Sequence, residues 1–131
     1  MRLHSDRIFI AKALKKYARL GLMDKRMGEY EKIIIIKGFS RNESELYDLV
    51  AVSDMLKMIS ALGREEELRA FIALYMSGRG MRLVRHKNDV SNNALRFALK
   101  NHLDVRTVYR RAAYIEALYL KIRGNYKNAG S

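Results

Sequence analysis

The stretch Phe97-Ala98-Leu99-Lys100-Asn101-His102-Leu103-Asp104-Val105-Arg106-Thr107-Val108-Tyr109-Arg110-Arg111 decides how this chain is read. Its first residues spell the end of a short amphipathic helix. Asn101 to Leu103 mark a tight turn. Asp104 has the short side-chain oxygen that caps a helix N-terminus, and the residues after it carry Arg, Thr, Tyr and Arg on one side. Val108, Ala112, Ile115, Tyr119 and Ile122 then recur at helical spacing, so a helix over roughly 105–123 has an inward stripe and an opposite polar face.

The spacing within this segment is that of a helix-turn-helix. Ala98 is the small residue where two helices meet closely. Thr107 follows nine residues later, Val108 is the buried β-branched residue after it, and Leu103 fills the apolar turn position. The outward side holds Arg106, Thr107, Tyr109, Arg110 and Ala113. In such motifs the second helix enters the DNA major groove, where Arg reads guanine or holds phosphate and Thr and Tyr hydroxyls bind phosphate. Three positions depart from the usual pattern: His102 where glycine is common, and Asn101 and Arg111 where apolar residues are. A basic helical hairpin with a solvated face is the plain alternative.

Working outward, the downstream charge supports a polyanionic partner. The chain has 131 residues and a net charge of +12, with 49% apolar residues, no cysteine and no proline. Residues 1–40 hold ten Lys and Arg against four Asp and Glu, residues 41–77 four against seven, and residues 78–131 twelve against three. Positive charge is thus concentrated in the C-terminal part, as phosphate neutralisation requires. The apolar content suffices for a core. Without cysteine there is neither a disulfide framework nor a cysteine-based zinc site. No membrane segment is expected, because the longest apolar run, Ile33 to Ile36, is far too short to span a bilayer. Nor does the N-terminus resemble a cleaved signal sequence. A reducing interior such as the cytoplasm is the expected location.

Upstream, the periodicity predicts a helix over Arg7 to Leu20, with Ile10, Leu14 and Tyr17 inward and Gly21 as its stop. Asp24 is expected to cap a second helix, roughly Lys25 to Lys37, with Met27, Tyr30 and Ile34 inward. The four isoleucines favour a strand by propensity; helix is preferred because no second strand pattern lies nearby to pair with them. Asn42 and Glu45 form a capping box opening a helix over Glu43 to Leu62. Its apolar stripe comprises Leu46, Leu49, Val50, Met55, Leu56, Ile59 and Leu62. Gly63 ends it. Glu65, Glu66 and Glu67 open the next helix, whose inward face is Leu68, Phe71, Ile72, Tyr75 and Met76. Ser77 to Gly80 closes it. A basic connector with Arg79, Arg82, Arg85 and Lys87 follows, placed to hold phosphates beside the motif. Ser91 or Asn92 is expected to cap the first motif helix, with Leu95, Ala98 and Leu99 inward. The expected organisation is therefore an all-α, single-domain bundle of five to six helices with a C-terminal helix-turn-helix. Residues 1–77 form a supporting helical part, 78–89 a basic connector, 90–124 the helix-turn-helix and 125–131 a flexible tail.

Leu68 to Met76, followed by Leu95 to Leu120 with its Leu-Asp-Val-Arg-Thr-Val-Tyr-Arg-Arg segment, resembles the C-terminal half of phage late-gene transcriptional regulators of the ArpU and RinA type. The same pattern is similar to region four of sigma factors. The resemblance spans about residues 45–122, and Leu14 to Leu20 is reminiscent of ArpU-like openings. It implies sequence-specific binding to double-stranded DNA near a promoter, contact with RNA polymerase, and DNA-facing roles for Arg106, Thr107, Tyr109 and Arg110.

Other chemistry finds little support. His4, His86 and His102 are dispersed, so no metal site is expected, and no cofactor is. The Ser77-Gly78-Arg79-Gly80 stretch lacks the Lys-Ser/Thr of a phosphate loop. No nucleophile–base pairing can be argued, and the chain is read as a non-enzyme. An RNA-binding or antitermination protein is a rival, since aromatics interleaved with arginine stack on unpaired bases. Another is a protein-interaction module that binds RNA polymerase through the 42–76 helices. A homodimer joined by helices 43–76 is a further possibility.

Overall fold

Three helices end in the same backbone device. In a computed structural model describing residues 5–77, 82–84 and 86–127, Gly21, Gly63 and His102 each take positive φ, at 76°, 67° and 56°. The next residue donates its N–H back across the last turn: Leu22 to Tyr17 O, Arg64 to Ile59 O, and Leu103 to Ala98 O at 2.8 Å. This satisfies carbonyls that a helix end otherwise leaves unpaired. His102 thus adopts the conformation for which the motif normally uses glycine. Histidine is one of the few side chains enriched there.

The described residues form six helices: α1 (Ser5–Arg19), α2 (Glu29–Phe39), α3 (Glu43–Leu62), α4 (Glu65–Tyr75), α5 (Lys87–Lys100) and α6 (Val105–Lys127). A two-residue antiparallel ribbon, β1 (Met76–Ser77) with β2 (Arg82–Leu83), joins α4 to α5. The chain is all-α and single-domain, as its periodicity predicts. Two of the capping signals act where the sequence puts them. Glu45 N–H donates to Asn42 Oδ1 at 2.9 Å, and Arg106 N–H donates to Asp104 Oδ1 at 2.9 Å. The reciprocal half of the capping box is displaced by one residue, because the Glu45 carboxylate accepts from the N–H of Arg41. That carboxylate also meets Lys16 at 2.5 Å and the Arg41 guanidinium at 3.0 Å, which hold its pKa down at about 2.

The core is built around α6, which packs chiefly on α4 and α3. At 23 residues it is about 34 Å long. Val108, Ala112, Ile115, Tyr119 and Ile122 are all buried along it. They meet Ile10, Leu14 and Tyr17 of α1, Leu49, Met55 and Ile59 of α3, and Phe71 and Leu74 of α4 in one cluster. Tyr119 donates its hydroxyl to Asp48 O at 3.3 Å, so its polar end is satisfied inside.

Four expectations are corrected. First, α2 starts at Glu29, not Lys25. Asp24 accepts from Arg26 N–H in a local turn instead of capping it. Tyr30 and Ile34 are 77% and 52% exposed, and Ile36 is the buried residue of this helix. Tertiary contact with α3 selected a face that the near-uniform apolar run left ambiguous. Second, α5 opens at Lys87 after His86, with no cap from Ser91 or Asn92. The Ser91 hydroxyl instead donates to Lys87 O, one turn back. The connector expected over 78–89 is thus partly strand and partly helix. Third, Leu95 and Leu99 are 51% and 77% exposed, while Val90, Ala94 and Ala98 are buried. Small residues allow α5 to approach α4 and α6 closely. On α3, Leu62 of the expected stripe is likewise exposed. Fourth, Met76 lies in β1 beyond α4, and α6 continues through Asn125 to Lys127, so the expected tail begins as helix.

Candidate nucleic-acid interface

The candidate interface is the N-terminal half of α6 together with the helix before it. Two hydrogen-bonded elements set α5 in place. Asn93 Nδ2 donates to Leu74 O at 3.2 Å, satisfying a carbonyl in the last turn of α4. Val84 N–H donates to Tyr75 O at 3.0 Å, which carries the chain from the ribbon into α5. The turn at 101–104 then redirects the chain. Asn101 Nδ2 donates to Phe97 O at 2.8 Å, and Leu103 packs against the core. Asn101, a departure from the usual apolar residue, therefore serves as a side-chain cap on α5.

Across this turn, the first two turns of α6 bring four of the sequence-predicted residues together. Arg106, Tyr109 and Arg110 are exposed and Thr107 is half-buried. Arg110 Nη2 donates to Thr107 Oγ1 at 3.5 Å, a long contact that leaves the remaining guanidinium donors outward. Val108 and Ala112 are buried on the opposite side. The helix thus has one face in the core and one in solvent.

The charge pairing along α6 is uneven. Arg111 reaches Glu66 at 3.6 Å, and Arg123 donates to Asp48 at 2.7 Å. Arg106 and Arg110 have no carboxylate within ion-pair distance among the described residues, although each lies within a few residues of a paired one. Arg64 sits over the Tyr114 ring at 5.1 Å, so Tyr114 is engaged within the fold.

The other expected phosphate contacts are dispersed. Arg82 is exposed on β2 and Lys87 is exposed in the first turn of α5. Arg79 and Arg85 lie outside the described residues. Arg96 and Lys100, which the sequence reading passed over, are exposed four residues apart on α5, without a carboxylate partner among the described residues. Their signal was the i,i+4 basic pair on the face opposite Ala94 and Ala98, visible once the alanines are recognised as the buried stripe.

Tyr109, Tyr114 and Tyr119 fall in three different environments: exposed, half-buried and buried. They do not form a stacking row. No group of three or more His, Asp or Glu able to hold a metal ion occurs among the described residues. None of their helices is long and apolar enough to cross a membrane. A cleft of about 430 Å³ is lined by residues of α1 to α4 and the segment after α1, among them Leu22, Leu56, Ile59 and Leu68 with Lys32 and Lys57. Both lysines are spent on Glu29, at 3.7 and 2.5 Å. No family model, curated protein or solved structure matches this chain.

Proposed function

We propose that this protein binds double-stranded DNA in a sequence-specific manner and regulates transcription. It would present the N-terminal half of α6 to the major groove. The observation that carries this reading is the pair Arg106 and Arg110, one helical turn apart on an exposed face and without carboxylate partners among the described residues, on a helix whose other arginines are paired. Bidentate donors not already spent on a carboxylate are what base edges and phosphates require. The net +9 of residues 78–131 supplies the non-specific attraction. Arg82, Lys87, Arg96 and Lys100 act in this reading as phosphate contacts. The resemblance to ArpU- and RinA-type regulators makes phage or prophage late genes, in a bacterial cytoplasm, the setting of the proposal.

Selection of duplexes from a random pool by the full chain tests it. A shared sequence should emerge, and the logarithm of the affinity for it should fall linearly with log[salt]. Arg106→Ala and Arg110→Ala should each weaken binding to that sequence by roughly 1–3 kcal/mol. Binding to random duplex should fall far less. Equal losses on both duplexes would reduce these arginines to phosphate neutralisers, and a pool without a shared sequence would defeat the reading.

A second reading is contact with RNA polymerase, favoured by the exposed Leu95 and Leu99 on α5. If it holds, Leu99→Ser abolishes capture of polymerase in nuclease-treated extracts while DNA affinity stays unchanged.

A further inference from the structure

Only one residue of α2, Ile36, is fully buried. Tyr30, Ile33 and Ile34 share one side of it and are all exposed. At helical spacing Lys37 extends the same stripe by one turn. The opposite side, carrying Ile36 and the half-buried Ile35, lies on α3. Single exposed apolar residues are ordinary on a protein surface; three contiguous large ones on a helix of 11 residues mark a contact. So short a helix depends on packing for its stability.

The charges on α2 say what fits there. Glu31 stands near the N-terminal end of the stripe and Lys37 near its C-terminal end. Neither has an ion-pair partner among the described residues, whereas Glu29 is held by Lys32 and Lys57. A second copy of α2 laid antiparallel, with the two-fold axis between Ile33 and Ile34, places Lys37 of one copy at the end where Glu31 of the other stands. It also sets the isoleucines face to face. A parallel arrangement sets Glu31 beside Glu31 and Lys37 beside Lys37.

We propose that the exposed face of α2 is the interface of a symmetric homodimer, formed by antiparallel α2 pairing about Ile33 and Ile34. This places the dimer contact on α2 and not on helices 43–76. It stands independently of DNA binding: a chain that fails to select a duplex can still dimerise this way. A two-fold partner would nonetheless double the number of α6 helices, as a pair of half-sites requires.

The test is sedimentation equilibrium of the full chain across a hundredfold range of concentration. Twice the monomer mass is expected at the upper end. Ile34→Glu should shift the dimer midpoint at least tenfold while the far-ultraviolet circular dichroism spectrum is retained. Glu31→Lys or Lys37→Glu alone should weaken the dimer, and the two together should restore it.

Because the chain has no cysteine, orientation is readable from single cysteines. Under oxidation, Ile34→Cys should cross-link. Tyr30→Cys should not, since in the antiparallel pair its two copies are about 10 Å apart along the axis, beyond disulfide reach. Three results would each overturn the proposal. One is a monomer at every concentration, including one that instead cosediments with phosphatidylserine vesicles through α2. Another is a dimer indifferent to Ile34→Glu, and the third is efficient cross-linking at Tyr30→Cys.

Discussion

The two halves of α6 are made of the same residue types and do opposite things. In the C-terminal half, Arg123 is bound to Asp48 and covers the Tyr47 ring at 5.7 Å. Tyr119 is buried on Asp48 O, and Tyr126 donates to Asp54 and stacks on Tyr47. In the N-terminal half, Arg106, Tyr109 and Arg110 face solvent. The difference is supplied by α3, which runs beside one half and provides its carboxylates. An arginine's role on this helix is set by what lies opposite it, not by its own chemistry. The C-terminal half anchors the helix, whereas in the N-terminal half Arg111 is held by Glu66 and Arg106 and Arg110 have no carboxylate partner among the described residues.

The largest effect that could break this contrast comes from Arg123→Ala. It removes a charged hydrogen bond whose partner is also mostly buried, and should lower unfolding stability by about 2 kcal/mol in urea titration. Arg110→Ala, an equal deletion in the free half, should change stability by less than about 0.5 kcal/mol. Equal losses from the two would mean that the free half is structural after all.

A smaller effect sharpens the view of the turn that presents the free half. His102 pays the steric cost of positive φ, so His102→Gly should raise stability by about 0.5 kcal/mol, net of glycine's greater chain entropy. The mirror substitution is Gly63→Ala. A Cβ there meets nothing within 4 Å, so its loss of about 1 kcal/mol is purely conformational. Chemical denaturation of both variants checks the pair.

The smallest effect is confined to alkaline solution. Donation to Asp54, followed by burial, pushes the Tyr126 phenol up from its ordinary 10.0 to about 12. Its contribution is therefore complete below about pH 10 and is lost as the pH rises toward 12. Tyr126→Phe should flatten part of the stability decline over that interval. An unchanged decline would show that this phenol does not anchor the C-terminal half.

Much of the fold was legible because helix signals are local. Asn42, Asp104 and Gly63 act on backbone groups within a few residues, so α3 and the start of α6 fall where the sequence places them. The stripe from Val108 to Ile122 was equally clear, since apolar and polar residues alternate sharply there. The inward face of α5 was not. Ala94/Ala98 and Leu95/Leu99 are two i,i+4 pairs one residue apart, and hydrophobicity alone favours the leucines. Close approach to α4 and α6 favours the alanines. The four-isoleucine run of α2 gave no contrast between faces, so its orientation also lay beyond local pattern.

What the sequence determined by itself is the set of helices, the caps at Asn42, Gly63 and Asp104 and the turn ahead of α6, because each depends on short-range backbone geometry. Only the tertiary structure decided which arginines are engaged, which face of α2 and α5 meets solvent, and that His102 can stand in for glycine. Those outcomes depend on residues distant in sequence, such as Glu66 for Arg111 and Asp48 for Arg123, brought together when the core closes around α6.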